Sequence, residues 1–311
     1  MRWEDRRQSE NYEDRRGDSV GRMPTGARIG LPRGRAGGVT RAGGGSILVF
    51  AVVALALWAF AGINPLQLLD MLSRGDGGPV VTGQQAQPPE RSAAEKAGDD
   101  QKLAFMRVVL AETEDTWSRI FRENGAAYTP PTLVVYAGFN QSACGFSSAA
   151  AGPFYCPLDQ KVYIDLTFFD TLSQRFDAPG DFAEAYVLAH EVGHHVQNLT
   201  GVLRRSTELR QRSSEAEANA DSIRVELQAD CYAGVWAHAA DRSGIVEEGD
   251  IDEALGAAAA VGDDLLQKRT QGYVVPESFN HGTSEQRVRW FRTGYQSGNP
   301  TDCDTFRAAR L

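Results

Sequence analysis

Apolar and polar positions along this chain change period from block to block, and each period points to an element. Residues 1–46 are rich in Arg, Gly and Asp and show no apolar period, which predicts a disordered tail. Residues 47–63 (ILVFAVVALALWAFAGI) carry no charge. The polar residues 75–100 then predict a flexible linker. Beyond it Leu103, Met106, Leu110, Thr113, Trp117 and Ile120 step by three and four, the spacing of an amphipathic helix, and Asn124-Gly125 ends it. Residues 132–136 (TLVVY) and the alternating residues 161–166 (KVYIDL) predict two short strands. Helical spacing returns over about 181–199, stopped by Thr200-Gly201, and again over about 213–240. Asp250-x-x-Glu253 reads as a capping box opening a helix to about residue 268, and Thr283-x-x-Gln286 as the box of a last helix. Two or three strands followed by helices is an α+β pattern, mostly helical with a small sheet.

Charge sharpens the reading of the N-terminal blocks. The net charge is -9, yet residues 1–41 hold ten arginines, no lysine and six acids. So acidic a body argues against nucleic acid as a partner. With its small flanking residues, the uncharged block approaches the roughly 20 residues that cross a hydrocarbon core. Asn64-Pro65-Leu66 is a poor cleavage site, which favours an uncleaved anchor over a signal peptide. The expected organisation is a cytoplasmic Arg-rich tail over 1–46, a single transmembrane helix over 47–66 held in the lipid bilayer, a linker over 67–99, and a folded domain over 100–311. Five arginines between Arg22 and Arg41, with no acid among them, send that domain across the cytoplasmic membrane by the positive-inside rule. Four cysteines, Cys144, Cys156, Cys231 and Cys303, fall on the exported side without metal-ribbon spacing. An oxidising compartment then implies two disulfides. Of three possible pairings, Cys144 with Cys156 and Cys231 with Cys303 closes the shortest loop first.

The chemistry concentrates in His190-Glu191-Val192-Gly193-His194, an H-E-x-x-H pattern on a helix. Imidazoles four residues apart share one helical face and can hold one Zn2+ ion. Glu191 stands where a carboxylate can take a proton from the activated water. A catalytic zinc needs a third protein ligand. Candidates are His195, His238, His281 and the acids of the 213–240 helix. His195 lies about 140° around the helix from His190, which makes it a packing or supporting residue. Glu226 and Asp230, one turn apart among Leu227, Ala229, Cys231 and Tyr232, fit best: Glu226 as a ligand and Asp230 as acceptor for the free N–H of a ligating histidine. The alternative for that pair is a solvated acidic face. His281 is a candidate donor to the oxyanion, against a local capping role, with Tyr273 a weaker one. His238 reads as packing or solvent-facing.

These stretches together (Cys144-Gly145, GPFYCP from Gly152, VYIDLTFF from Val162, AYVLAHEVGHHVQ from Ala185, ELQADCYAG from Glu226, HGTSEQR from His281) resemble the "putative neutral zinc metallopeptidases", single-pass bacterial membrane proteins. The resemblance covers about residues 100–306 and leaves the Arg-rich tail outside. It implies a zincin-like fold, one zinc ion, a glutamate third ligand and peptidase activity. The expected function is a membrane-anchored zinc peptidase acting on peptides or unfolded proteins outside the cytoplasmic membrane, with Glu191 as general base. The 161–166 strand is expected to offer its free edge to the substrate backbone. The competing reading is a non-catalytic, zinc-stabilised envelope scaffold or binding protein, which would need zinc but not Glu191.

Overall fold

The computed structural model describes residues 1–18, 93–148 and 152–311. The strongly apolar block and the transmembrane helix expected over 47–66 lie outside these residues. No helix among the described residues is long and apolar enough to cross a membrane.

A four-stranded sheet, a separate two-stranded hairpin and eight α-helices carry the fold among the described residues. In chain order they are β1 (Tyr12–Asp14), α1 (Ala93–Glu123), β2 (Thr132–Tyr136), β3 (Phe139–Ser142), β4 (Gly145–Ser148), β5 (Phe154–Cys156), β6 (Lys161–Asp165), α2 (Thr167–Phe176), α3 (Asp181–Leu199), α4 (Val202–Arg210), α5 (Glu215–Arg242), α6 (Asp250–Ala260), α7 (Asp263–Gln271) and α8 (Ser284–Ser297). The sheet order is β1-β2-β6-β5. β1, β2 and β6 run parallel, and β5 pairs antiparallel with β6. Leu133, Val135, Val162 and Ile164 are wholly buried on the face turned to the main core. Each such side chain contributes about 1.5–3 kcal/mol of burial.

The motif helix α3 is the centre of the molecule. It packs on α1, α5 and α6 and beneath β5 and β6. Phe182, Tyr186, Leu188, Val192 and Val196 fill the spaces between these elements. A helix with neighbours on most sides cannot carry one polar face, so its three imidazoles must find partners inside the protein.

Several expectations are corrected here. Residues 1–18 are not a disordered tail. Asn11 accepts from the Leu133 amide at 2.9 Å, at the start of the β1–β2 ladder. Ser9 and Asn11 donate to Glu114 at 2.6 and 2.8 Å, and Arg7 pairs with the same carboxylate at 3.0 Å. Trp3 packs edge-on against Phe105. Arg6, Arg7 and Arg16 of this segment are thus used in ion pairs with α1, which composition alone does not reveal. The 161–166 strand has no free edge: β6 lies between β2 and β5, and β5 is the edge. Asp250 and Glu253 form no capping box, because Asp250 accepts from the Glu247 amide and Glu253 from Phe182 at the start of α3. The helix expected to reach 268 breaks at Val261-Gly262, where a Cβ on Gly262 would collide with the Ser284 backbone. The Thr283–Gln286 capping box is present as expected. Both disulfides pair as expected, Cys144–Cys156 and Cys231–Cys303.

Candidate functional site

One face of α3 and one face of α5 meet at a cleft of about 600 Å³. His190, Glu191 and His194 come from α3, Glu226 from α5, and His281 from the loop before α8. His190 Nε2 lies 3.3 Å from one Glu226 oxygen and His194 Nε2 lies 3.6 Å from the other. The three candidate donor atoms all fall within 4.8 Å of one another. Tetrahedral donors at about 2.0–2.1 Å from zinc stand about 3.3 Å apart, so the spacing suits that ion.

The remaining nitrogen of each imidazole fixes its tautomer. His190 Nδ1 donates to Asp230 at 2.8 Å, and His194 Nδ1 to Gln197 Oε1 at 2.8 Å. The Gln197 amide nitrogen is itself committed to the Val225 carbonyl at 2.7 Å, so its oxygen must face the histidine. Both Nε2 lone pairs are left for an ion, with the outer contacts that orient such ligands already built. Two imidazoles and a carboxylate therefore fit zinc, and a fourth position remains for water or substrate.

Asp230 is fully buried and completely partnered. Arg287 donates to both of its oxygens at 2.8 and 2.9 Å, and Tyr186 donates at 2.5 Å. Burial alone would push this carboxyl up; Arg287 and His190 outweigh it and hold it down at about 2. Burial likewise opposes the ionised form of Glu226, yet His194 and His190 hold it well below the usual carboxylate range. Burial disfavours a proton on His190, but the Asp230 and Glu226 carboxylates raise it to about 10. A cation between these groups takes the place of that proton, so ion binding is coupled to proton release.

His281 stands across the cleft. Its Nδ1 donates to Asp263 Oδ1 at 3.0 Å, while Asp263 Oδ2 accepts the amides of Asn280, His281 and Gly282 at 2.7–3.1 Å. The hydrogen bond to Asp263 raises the His281 pKa, against burial. The break between α6 and α7 gives this arrangement its place, since Asp263 is the first residue of α7.

The structure thus brings His190, Glu191, His194, Glu226 and His281 to one cleft, with Asp230 behind His190. His195 points elsewhere: its Nε2 donates to the Thr129 carbonyl at 2.6 Å and its Nδ1 accepts from Tyr155 at 3.0 Å. His238 donates to the Tyr295 carbonyl, and Tyr273 lies 62% exposed outside the cleft. Sequence reasoning missed Gln197, Tyr186, Asp263 and Arg287. Tyr186, Gln197 and Arg287 had a signal, since they fall within the AYVLAHEVGHHVQ and HGTSEQR stretches, whereas Asp263 had none.

A family model described as "Putative neutral zinc metallopeptidase" matches residues 1–306. The match includes the first residues of the chain, which the expected resemblance over about 100–306 left out. The chain is 44% identical over 306 residues to "Uncharacterized protein YpfJ" of Escherichia coli (strain K12), covering 98% of this chain and 99% of that protein. It is 43% identical over 218 residues to "Uncharacterized protein Rv2575" of Mycobacterium tuberculosis (strain ATCC 25618 / H37Rv), covering 67% of this chain and 73% of that protein. No solved structure matches.

Proposed function

This chain belongs to the "putative neutral zinc metallopeptidase" family, and we propose that it hydrolyses peptide bonds in peptides or unfolded proteins with one zinc ion held by His190, His194 and Glu226. The observation that carries this reading is the convergence of three ion donors, with their outer hydrogen bonds made, beside Glu191 in one open cleft. A bound zinc ion lowers the pKa of water toward about 7 and polarises a carbonyl. Glu191, in the turn between the two imidazoles, accepts the proton of the attacking water and delivers it to the leaving amine. His281, held by Asp263 through Nδ1, turns Nε2 to the oxygen that gains charge; its raised pKa favours the doubly protonated ring, which can donate there. Arg287 keeps Asp230 ionised, and Asp230 keeps the His190 Nε2 lone pair directed at the ion position.

Among the described residues β5 is an edge strand, and it borders the cleft with Gly152, Pro153 and Pro157 beside it. An extended substrate backbone pairs there, not along β6. The Cys144–Cys156 disulfide pins the β3–β4 hairpin to the end of this strand. A zincin-like relation accords with a motif helix packed beneath a sheet whose edge strand rims the site. Two disulfides favour an oxidising compartment for the domain, and the uncharged 47–63 block favours membrane association.

The test compares cleavage of an unfolded protein by the full chain and by Glu191→Gln, at equal measured zinc. The expected result is a loss of about 10²–10⁴-fold in the variant with its zinc retained. Equal rates would remove Glu191 from the chemistry. No cleavage by either protein, with zinc bound, would favour the scaffold reading.

A further inference from the structure

The cleft is chemically two-sided. β5 and its flanks give an apolar wall with Phe154 and Phe168. The rest of the lining is largely helical. Leu203, Ser206, Thr207 and Arg210 of α4 belong to it, at positions i, i+3, i+4 and i+7, so a single face of α4 looks into the cleft along its whole length. Ser222 and Val225 of α5 continue that row toward Glu226.

Arg210 ends this row. It is exposed, and among the described residues it has no ion-pair or hydrogen-bond partner. The other arginine lining the cleft, Arg287, is neutralised by Asp230. Among the described residues the cleft therefore presents one unanswered cation, fixed on a helix rather than on a loop. Its distance from the reacting position follows from the helix pair. Ser206 bonds Asp221, and a four-residue link joins α4 to α5, so Arg210 faces α5 about one turn N-terminal of Asp221. That turn is on the order of 10–15 Å from Glu226 along the helix. An extended substrate advances about 3.3 Å per residue, so the guanidinium meets a position roughly three to five residues from the scissile bond.

Resting on the zinc-peptidase reading above, we propose that Arg210 is a specificity-determining residue that selects substrates carrying a carboxylate roughly three to five residues from the cleaved bond. Arginine suits this role, because its planar guanidinium binds a carboxylate through two parallel hydrogen bonds. The carboxylate is supplied by an Asp or Glu side chain or by a free C-terminus. Being exposed to solvent, the contact is moderate in strength and weakens as salt rises.

The test uses the zinc-loaded full chain, Arg210→Gln and Arg210→Glu. The probes are internally quenched peptides in which Glu, Gln or Lys is placed in turn at each of five positions on either side of the cleaved bond. A second set ends at the same distances with either a free or an amidated C-terminus. For wild type, the expected kcat/KM is about three- to tenfold higher for Glu than for Gln at one position on one side, with Lys the poorest there. Arg210→Gln levels the three within its own activity, and Arg210→Glu reverses the order in favour of Lys. A preference in the C-terminal set alone assigns the carboxylate to a chain end. Equal cleavage of Glu, Gln and Lys peptides by wild type, with no preference between free and amidated ends, would overturn the proposal. So would a preference that survives in Arg210→Gln. If wild type cleaves neither these peptides nor an unfolded protein, the peptidase reading fails and this proposal falls with it.

Discussion

Asp230 has no route to water, and its stability rests on three donors. Removing Arg287 leaves a buried carboxylate short of its main counter-charge, a change that costs about 3–5 kcal/mol. Arg287→Met is therefore expected to lower the unfolding free energy by that order in a denaturant titration. An effect below about 1 kcal/mol would mean that Asp230 gains solvent or a proton instead. At this scale the sequence was informative wherever one helix carries both partners. His190, Glu191 and His194 share α3, and Glu226 and Asp230 share α5, so helical spacing alone placed them correctly relative to one another. Arg287 and Asp263 act across 57 and 18 residues of chain, on His190's partner and on His281, and no spacing rule reports such a contact.

Element packing explains a residue that the H-E-x-x-H pattern leaves open. A Cβ on Gly193 would lie 2.9 Å from the Ala229 carbonyl oxygen and 3.1 Å from its Cα. Backbone atoms cannot give way as a flexible side chain can, so Gly193→Ala is expected to force α3 and α5 apart. The cost is about 1–3 kcal/mol, together with weaker zinc binding, because Ala229 lies between Glu226 and Asp230 on α5. Unchanged zinc affinity in a competition titration would contradict this. Near the start of α3, burial pushes Glu184 up to about 7, with Asp181, Asp170 and Glu253 adding to it and Lys102 opposing. The unfolded carboxyl titrates near its ordinary 4.5. The native state thus holds a proton that the unfolded chain has already released. That contribution to stability is complete below pH 4.5 and is lost as pH rises through about 7. Glu184→Gln removes the dependence, so its Tm relative to wild type should rise between pH 5 and pH 8; a constant difference would contradict the assignment. Helix ends were legible where a capping box is local, as at Thr283–Gln286. They were not where the carboxylate serves another helix, as Glu253 does for Phe182.

At the scale of the whole molecule, the N-terminal segment changes the picture most. Residues 12–14 complete the sheet, and Ser9, Asn11 and Arg7 converge on Glu114 of α1. A chain that crossed a membrane once between residues 18 and 93 would hold these partners on opposite sides. On this packing, residues 1–18 and the domain are expected to share a compartment. Cysteines at the exposed positions Glu4 and Glu215 should therefore react with a membrane-impermeant maleimide from the same side of intact cells or vesicles, the four native cysteines being paired. Labelling from opposite sides would show that the N-terminal segment does not dock on its own domain. Composition could not reveal this, because an Arg-rich segment without apolar period reads as solvated unless its partner acids, far along the chain, are known.

The central claim is a zinc ion held by two imidazoles and one carboxylate, with a position left open. Zinc-edge X-ray absorption on the purified full chain tests it most directly. The account expects one ion per chain with two nitrogen donors at about 2.0–2.1 Å and oxygen donors completing the shell, one of them from water and displaced by a hydroxamate. A shell closed by four protein donors and indifferent to hydroxamate would contradict it, and would make the ion structural.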